Sequence, residues 1–393
     1  MKKKTKLLVR DSFFSTIFSI ILVSLLALFF LNVNFFDPFK KAFANFSYLD
    51  VYYAEKFYDT TKVNTDIVLV NIKNKNRLEI AQAIQAISNQ QPKVIGIDVI
   101  FKGLKENKFA DSLLASVLKH NNIITSYDID EKNIVYNHPY FGNNEKSGYV
   151  DFNFNNKASV IRKFIGTTNA FGEDRLSFAA QIAKYYLKED WDTFDYDKKL
   201  RTEQTIKFQG NLNAFQHFDF EDILENKNRI VLKDKIVILG YLGIPTGSKT
   251  DIEDKFFTPL NKIIAGRSDA DMFGAVIHAN ILNMLLKNDF MRTVSNFWLG
   301  VITIFIMYFS TMYHMRINKK YDISYRTRKH FYQLLFSIIV LGLSFWLFKH
   351  NVELKPAIII AGIVLGGSYL KYYKHFTDYI KTKTNKKWKT YLK

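Results

Sequence analysis

The sequence predicts an α/β domain, with a mostly parallel sheet covered by helices on both faces, joined to a membrane region of four α-helices. Four separate apolar blocks predict the membrane helices. Apolar strands that alternate with amphipathic helices between the first and second blocks predict the α/β domain. The basic residues lie beside the ends of the apolar blocks, which predicts the orientation of the chain in the membrane.

The apolar blocks are long enough to cross a bilayer as helices. A span takes about 20 apolar residues, because lipid offers the backbone no hydrogen-bond partner. The blocks are Phe13–Leu31, Phe297–Met315, Phe331–Phe348 and Pro356–Leu370. The predicted membrane helices cover residues 11–32, 296–315, 331–348 and 356–373. The last block is short, so a buried core helix is the alternative for it.

The net charge of +18 reflects membrane topology rather than nucleic-acid binding. The segments 1–10, 316–330 and 371–393 contain 19 of the 55 Lys and Arg residues and only two acidic residues. Such segments stay in the cytoplasm beside anionic lipid head groups. We therefore predict a multi-pass protein of the inner (cytoplasmic) membrane. The lipid bilayer is an expected partner, and nucleic acid is not. Its cytoplasmic parts are residues 1–10, 316–330 and 374–393, and its outer parts are the domain 33–295 and the turn 349–355.

The first apolar block is predicted to be an uncleaved signal anchor. A cleaved signal peptide is the alternative, since Ala42–Ala44 resembles a cleavage site, but that site lies beyond the charged stretch Asp37–Lys41. The chain has no cysteine, so the outer domain must depend on its hydrophobic core rather than on disulfides.

The outer domain contains a series of predicted strands and helices. Residues 36–60 are typical of an aromatic-rich helix, with Phe39, Phe43 and Phe46 on one face. Strands are predicted over 66–72, 93–101, 123–127 and 235–240, with short ones at 159–167 and 203–209. Helices are predicted over 76–90, 109–120, 176–187 and 272–286, and 252–271 is predicted to be mostly loop.

Several polar residues are candidates for a site. Asp98 lies near the end of a predicted strand, where it either lines a ligand crevice or binds backbone donors. Asp254 and Thr258 either reach the same crevice or belong to a solvated acidic loop. His278 is either a ligand or a core histidine of an apolar helix, and Ser177 is a possible helix cap.

No catalytic or cofactor motif emerges from the sequence. The loop Gly240–Thr250 follows a strand, but Ser248 separates Gly247 from Lys249, so it does not match the phosphate-binding loop. The eight histidines are scattered without metal-ligand spacing. We therefore expect no enzyme activity, no cofactor and no metal site.

An ordered set of sequence pieces between residues 45 and 290 resembles the CHASE domain of the second type. This extracellular sensory module is associated with bacterial histidine kinases, nucleotide cyclases and serine/threonine kinases. The similar pieces are Asp66–Ile72, Val94–Phe101, Asp111–Ala115, Val160–Arg162, Ser177–Ala180, Leu232–Gly240, Asp254, Thr258–Pro259 and Gly274–Asn280. The resemblance adds Arg162 and Asn280 to Asp98, Ser177, Asp254, Thr258 and His278 as ligand-binding candidates.

The sequence departs from the family pattern in two places. The stretch Asn74–Glu79 replaces the family's Trp-Pro-Trp-Pro-Arg, and Asn155–Ser159 replaces an acidic-acidic-Gly stretch. The resemblance implies a periplasmic sensory module of bacterial signal transduction, and a small-molecule ligand is one possible partner. Only about 23 residues follow the fourth apolar block, too few for an output domain, so we expect a separate protein partner or a homo-oligomer. A structural subunit of an envelope assembly is the alternative, and transport is disfavoured because the spans contain almost no ionisable groups.

Overall fold

A computed structural model describes most of the chain, and it divides into two compact units. The described residues are 2–32, 47–58, 60–130, 132–142, 146–152, 160–225, 230–261, 269–320, 325–384 and 389–392. One unit is Asn45–Met291, and the other combines Met1–Ala44 with Arg292–Lys393.

The unit Asn45–Met291 is built on a sheet of seven strands in the order β10-β1-β11-β2-β3-β4, with β5 also paired to β3. All neighbouring strands are parallel except β3 and β4. Numbered along the chain, the strands of this unit are β1 Asn64–Asn71, β2 Val94–Ile97, β3 Ile123–Ile129, β4 Ile134–Val135, β5 Ser147–Tyr149, β6 Lys163–Phe164, β7 Thr167–Ala170, β8 Glu173–Leu176, β9 Gln204–Thr205, β10 Phe215–Asp219, β11 Ile236–Gly240, β12 Lys255–Phe256 and β13 Met272–Phe273. The short strands form the antiparallel pairs β6–β9, β7–β8 and β12–β13.

Helices cover both faces of the sheet. The α-helices of this unit are Tyr48–Ala54, Arg77–Asn89, Lys108–Leu118, Phe178–Leu187, Glu189–Thr193, Tyr196–Lys199, Phe220–Leu224 and Gly274–Leu286, and Pro139–Phe141 and Leu212–Ala214 are 3-10 turns. The helices Arg77–Asn89 and Lys108–Leu118 share one buried cluster with alternate residues of β1, β2 and β11. The predicted α/β domain with a mostly parallel sheet is confirmed.

Two glycines allow helices to approach the opposite face of the sheet closely. A Cβ built on Gly96 would lie 2.6 Å from the Ile182 Cδ1, and one on Gly240 would lie 2.7 Å from the Ala275 Cβ. Real Cβ atoms do not come so near, so a side chain at Gly96 would displace the Ile182 side chain, and one at Gly240 would push the helix Gly274–Leu286 away from the sheet.

Several element boundaries differ from the predicted ones. Strand β2 ends at Ile97, because the Phe101 N–H is bound by the Asn137 side chain at 2.7 Å rather than by a neighbouring strand. The last helix begins at Gly274 because Met272 and Phe273 pair with β12, a strand within the predicted loop. The Phe39, Phe43 and Phe46 stripe and the stretch Asn155–Ser159 lie outside the described residues.

The second unit contains long apolar helices. Three of them, Lys2–Asn32, Asn296–Lys320 and Tyr325–Lys349, contain stretches long and apolar enough to cross a membrane. The pair Pro356–Ser368 and Leu370–Thr384, bent by 46°, adds a fourth span if it counts as one. A single helix was predicted there, but the adjacent Gly366, Gly367 and Ser368 precede the break, and Gly/Ser pairs favour kinks. The short strands β14 Arg292–Thr293 and β15 Val352–Glu353 pair in parallel.

A buried carboxylate joins the two sequence ends of this unit. Asp11 accepts a hydrogen bond from the Arg10 guanidinium at 2.8 Å and another from the Tyr391 N–H at 2.5 Å. Leu392 packs in a cluster with Leu8 and Met315. We call Asp11 together with Lys389–Leu392 the tail clasp.

Candidate functional site

The connections at the carboxyl ends of the central strands run to opposite faces of the sheet. The chain leaves β1 and β2 towards helices on one face of the sheet, whereas it leaves β11, which lies between them, towards the helix Gly274–Leu286 on the other face. Such a reversal opens a crevice in parallel α/β sheets, where ligands commonly bind. We call the group Asp98, Gly240, Asp254, Gly274 and Ala275 the edge crevice.

Asp98 and Asp254 come together in the edge crevice from distant parts of the chain. Asp98 directly follows β2, and its N–H donates to the Leu239 carbonyl at 2.8 Å. A Cβ on Gly240 would lie 3.4 Å from the Asp98 Cβ. A Cβ on Gly274 would lie 3.0 and 3.1 Å from the two Asp254 carboxylate oxygens. Gly274 thus leaves the space that the Asp254 carboxylate needs, and Asp98 lies beside Gly240 at ordinary van der Waals distance.

Asp254 completes the start of the helix Gly274–Leu286. Its backbone is left-handed, with φ of 51°, and its carbonyl accepts the Gly274 N–H at 3.0 Å. The residue before the helix, Phe273, offers no side-chain acceptor. The free N–H groups and the dipole of a helix N-terminus favour a negative charge, so the Asp254 carboxylate is well placed there.

The environment of the pair favours a protonated Asp98 near neutral pH. Burial, and then the charge of Asp254, raise the pKa of Asp98 to about 8. Burial raises the pKa of Asp254 to about 6, against the Gly274 hydrogen bond that lowers it. The Asp254 residue as a whole is exposed, but its carboxylate lies against Gly274. The loss of water that raises the pKa therefore concerns the carboxylate. Among the described residues no donor binds the Asp98 carboxyl group, which can therefore exchange a proton or accept a donor from a ligand.

The loop after β11 is fixed by an asparagine that the sequence did not single out. Asn71 donates to the Gly243 carbonyl at 2.7 Å and to the Thr246 Oγ1 at 2.6 Å, and it accepts the Leu242 N–H at 3.0 Å. Asp251 accepts the Ile244 N–H at 3.0 Å. These backbone donors therefore bind protein side chains.

Three other predicted site residues have partners within the protein. Arg162 forms a bidentate ion pair with the buried Asp50, and both N–O distances are 2.7 Å. Ser177 accepts the Ala180 N–H at the start of its helix, as the capping interpretation predicted. Asn280 is fully buried and binds the backbone of Gly210 and Gln209.

Thr258 and His278 are also buried. Thr258 donates its N–H and its hydroxyl to the Asp271 carboxylate at 2.7 and 2.5 Å. The His278 ring packs between Phe152 and Phe178, with centroids 4.5 and 5.2 Å away. Burial lowers the pKa of His278 to about 3, so it is neutral, and its Nδ1 has no hydrogen-bond partner in the described part of the chain.

The structure thus brings two of the seven predicted residues, Asp98 and Asp254, into one crevice and disperses the rest. A ligand-binding role for Arg162, Ser177, Thr258, His278 and Asn280 stays a prediction. In the described ranges no three His, Cys, Asp or Glu residues group as metal ligands would.

Comparison with known proteins yields one match. A family model described as CHASE2 domain matches residues 16–313. The match covers the whole unit Asn45–Met291 and extends into the apolar helices on either side of it. No curated protein and no solved structure matches the chain.

Proposed function

The chain belongs to the CHASE2 domain family, a family of extracellular sensory domains, and we propose that it is a sensory module anchored in a bacterial inner membrane. In this proposal, the unit Asn45–Met291 lies outside the cytoplasm and binds a small molecule. The protein has no enzyme activity of its own and acts through a separate protein partner or a second copy of itself.

The observation that carries the proposal is the position of the edge crevice at the start of a helix that continues, in sequence, towards an apolar helix. Asp254 contacts Gly274, the first residue of the helix Gly274–Leu286. Only nine residues separate the end of that helix from Asn296, where the next apolar helix starts. A ligand that binds two arrangements of the crevice unequally would shift the helix between them, which is what signal transfer requires.

A wedge in the edge crevice tests the proposal without a known ligand. Gly274→Ala places a methyl group 3.0 Å from the Asp254 carboxylate, which must move. Gly240→Ala forces strand and helix apart more strongly, since its methyl would lie 2.7 Å from the Ala275 Cβ. Gly103→Ala is the matched control, because nothing lies within 4 Å of its added methyl.

The readout is a spin label on a single cysteine introduced by Thr327→Cys. Thr327 is exposed in the first turn of the helix Tyr325–Lys349, within the segment 316–330 that is predicted to be cytoplasmic. The chain has no cysteine of its own, so the label is unique. In lipid nanodiscs, both wedge variants should change the label's spectrum, and Gly103→Ala should not. Spectra that stay the same in all variants would favour the structural-subunit alternative. Affinity purification of the wild type and the wedge variants in mild detergent then identifies the partner and shows whether its association depends on the crevice.

A further inference from the structure

A cavity borders the antiparallel pair β12–β13, which we call the hairpin, and Asp254, next to β12 in sequence, does not line it. It has a volume of about 520 Å³, within the usual range for small-molecule sites. Its walls are the hairpin, the turn around Leu212 and the segment Gly247–Lys249. Asp254 and Gly274 of the edge crevice directly adjoin Lys255 and Phe273 of the hairpin, so the hairpin is common to both places.

One face of the hairpin presents a cation, an aromatic ring and an anion. Lys255 pairs directly with Phe273, and its Nζ lies 4.8 Å from the centre of the Phe273 ring. Side chains alternate along a strand, so Asp271, two residues before Phe273, is on the same side. All three residues line the cavity.

The two charges have no ionic partner among the described residues. The Lys255 Nζ donates to the backbone carbonyls of Ser248 and Lys249, and no carboxylate lies within ion-pair distance of it. The Asp271 carboxylate accepts the N–H and hydroxyl of Thr258 and interacts with the Asn261 side chain, all of which are neutral donors. Burial lowers the pKa of Lys255, against the carboxylates of Asp251, Asp269 and Asp271 that raise it, and burial raises the pKa of Asp271 to about 6. Such shifts are expected for half-buried charges without a directly bound counter-ion.

The rest of the lining favours a compact ligand without net charge. Lys249 and Asp269 also line the cavity, so its described lining holds two cations and two anions. Leu212 and Leu260 add apolar surface beside the Phe273 ring. A ligand with a carboxylate, an ammonium group and a small side chain would satisfy each of these features.

We propose that this cavity binds a small zwitterion of the α-amino acid or dipeptide class, with its carboxylate at Lys255, its ammonium group at Asp271 and its side chain against Phe273. The inference rests on the proposed sensory function, because the hairpin would carry occupancy of the cavity to Asp254 and Gly274.

The test is calorimetric titration of the full chain in mild detergent with each of the twenty L-amino acids and with Ala-Ala and Leu-Gly. At least one should bind with a dissociation constant below 1 mM, the scale of a weak specific site. Its amide, which lacks the carboxylate, and its N-acetyl form, which lacks the ammonium group, should each bind at least tenfold more weakly.

Variants locate the site. Lys255→Met and Asp271→Asn should each weaken binding at least tenfold, and Lys255→Arg, which keeps the charge, should retain it. Lys102→Met changes an exposed lysine outside the cavity and should have no effect. Circular dichroism identifies any variant that fails to fold, and Lys255→Arg then still tests the charge requirement.

The outcomes separate the ligand from the function. Absence of binding by every zwitterion, or equal binding by the amide and N-acetyl forms, would overturn the inference, and the wedge variants would still test the sensory proposal. Binding that leaves the Thr327 label unchanged would support the cavity assignment and count against signalling.

Discussion

The buried carboxyl group of Asp98 makes the stability of the unit Asn45–Met291 depend on pH in a defined direction. The unfolded chain releases this proton near pH 3.8, whereas the folded chain keeps it up to about pH 8. Between these values the folded state binds more protons, so the free energy of unfolding falls as pH rises and its contribution is lost above pH 8. Each pH unit is worth about 1.4 kcal/mol, so we expect a loss of about 2 kcal/mol between pH 6 and pH 8 from this group.

Asp98→Asn removes the titration and keeps the shape of the side chain. Its free energy of unfolding should exceed that of the wild type by a margin that grows by about 2 kcal/mol from pH 6 to pH 8. Urea unfolding in detergent micelles can follow the fluorescence of Trp191, which is 1% exposed, after Trp298, Trp346 and Trp388 are replaced by Phe. Asp66→Asn, at an exposed aspartate of β1, is the control and should parallel the wild type. Equal pH slopes for Asp98→Asn and the wild type would show that Asp98 is already ionised in the folded protein, and the argument that burial keeps it protonated would fail.

Three further predictions concern packing, the buried ion pair and topology. Ile95→Asp or Ile97→Asp should unfold the unit Asn45–Met291, because both side chains are fully buried in β2 and an unpaired buried charge costs several kcal/mol. A far-UV circular dichroism spectrum like that of the wild type for both variants would contradict a central position for β2. Arg162→Met should lower the free energy of unfolding by about 3–5 kcal/mol, since it leaves Asp50 buried without its counter-ion. Arg201→Met, which removes an exposed ion pair with Asp174, should leave the urea midpoint unchanged, and similar midpoints for the two variants would refute a special role of burial. Reporter fusions at Thr202 and after Lys393 should report opposite sides of the membrane, and two cytoplasmic signals would overturn the proposed topology.

The long helices and strands of the unit Asn45–Met291 were predictable because each has a local sequence pattern. Strands β1, β2, β3 and β11 are short apolar runs between turn residues, and the helix Arg77–Asn89 shows helical spacing of buried residues. The two-residue strands β12 and β13 are too short for any periodicity, so the sequence could not indicate them, whereas β6 and β9 lie within the predicted short strands 159–167 and 203–209. The hairpin that borders both the edge crevice and the cavity was therefore missed.

The candidate site was predictable only where a rule of fold geometry applied. Asp98 was found because ligands gather at the carboxyl ends of parallel strands. The pairing of Arg162 with Asp50, 112 residues apart, depends on tertiary contacts that a single sequence does not encode in any local pattern. The same holds for the approach of Ala275 to Gly240 and for the unpaired charges of Lys255 and Asp271.

The tail clasp has a mechanical consequence for the apolar unit. Asp11 at the beginning of the first long helix holds the backbone of Tyr391, and Lys319 near the end of the next long helix donates to the Tyr391 carbonyl at 3.2 Å. The segment Lys389–Leu392 therefore contacts two helices that lie far apart in the sequence. A sliding or rotation of either helix relative to the other must stretch the bonds to Tyr391 or carry that segment with it. Force applied to one helix would therefore be transmitted to the other through the segment Lys389–Leu392.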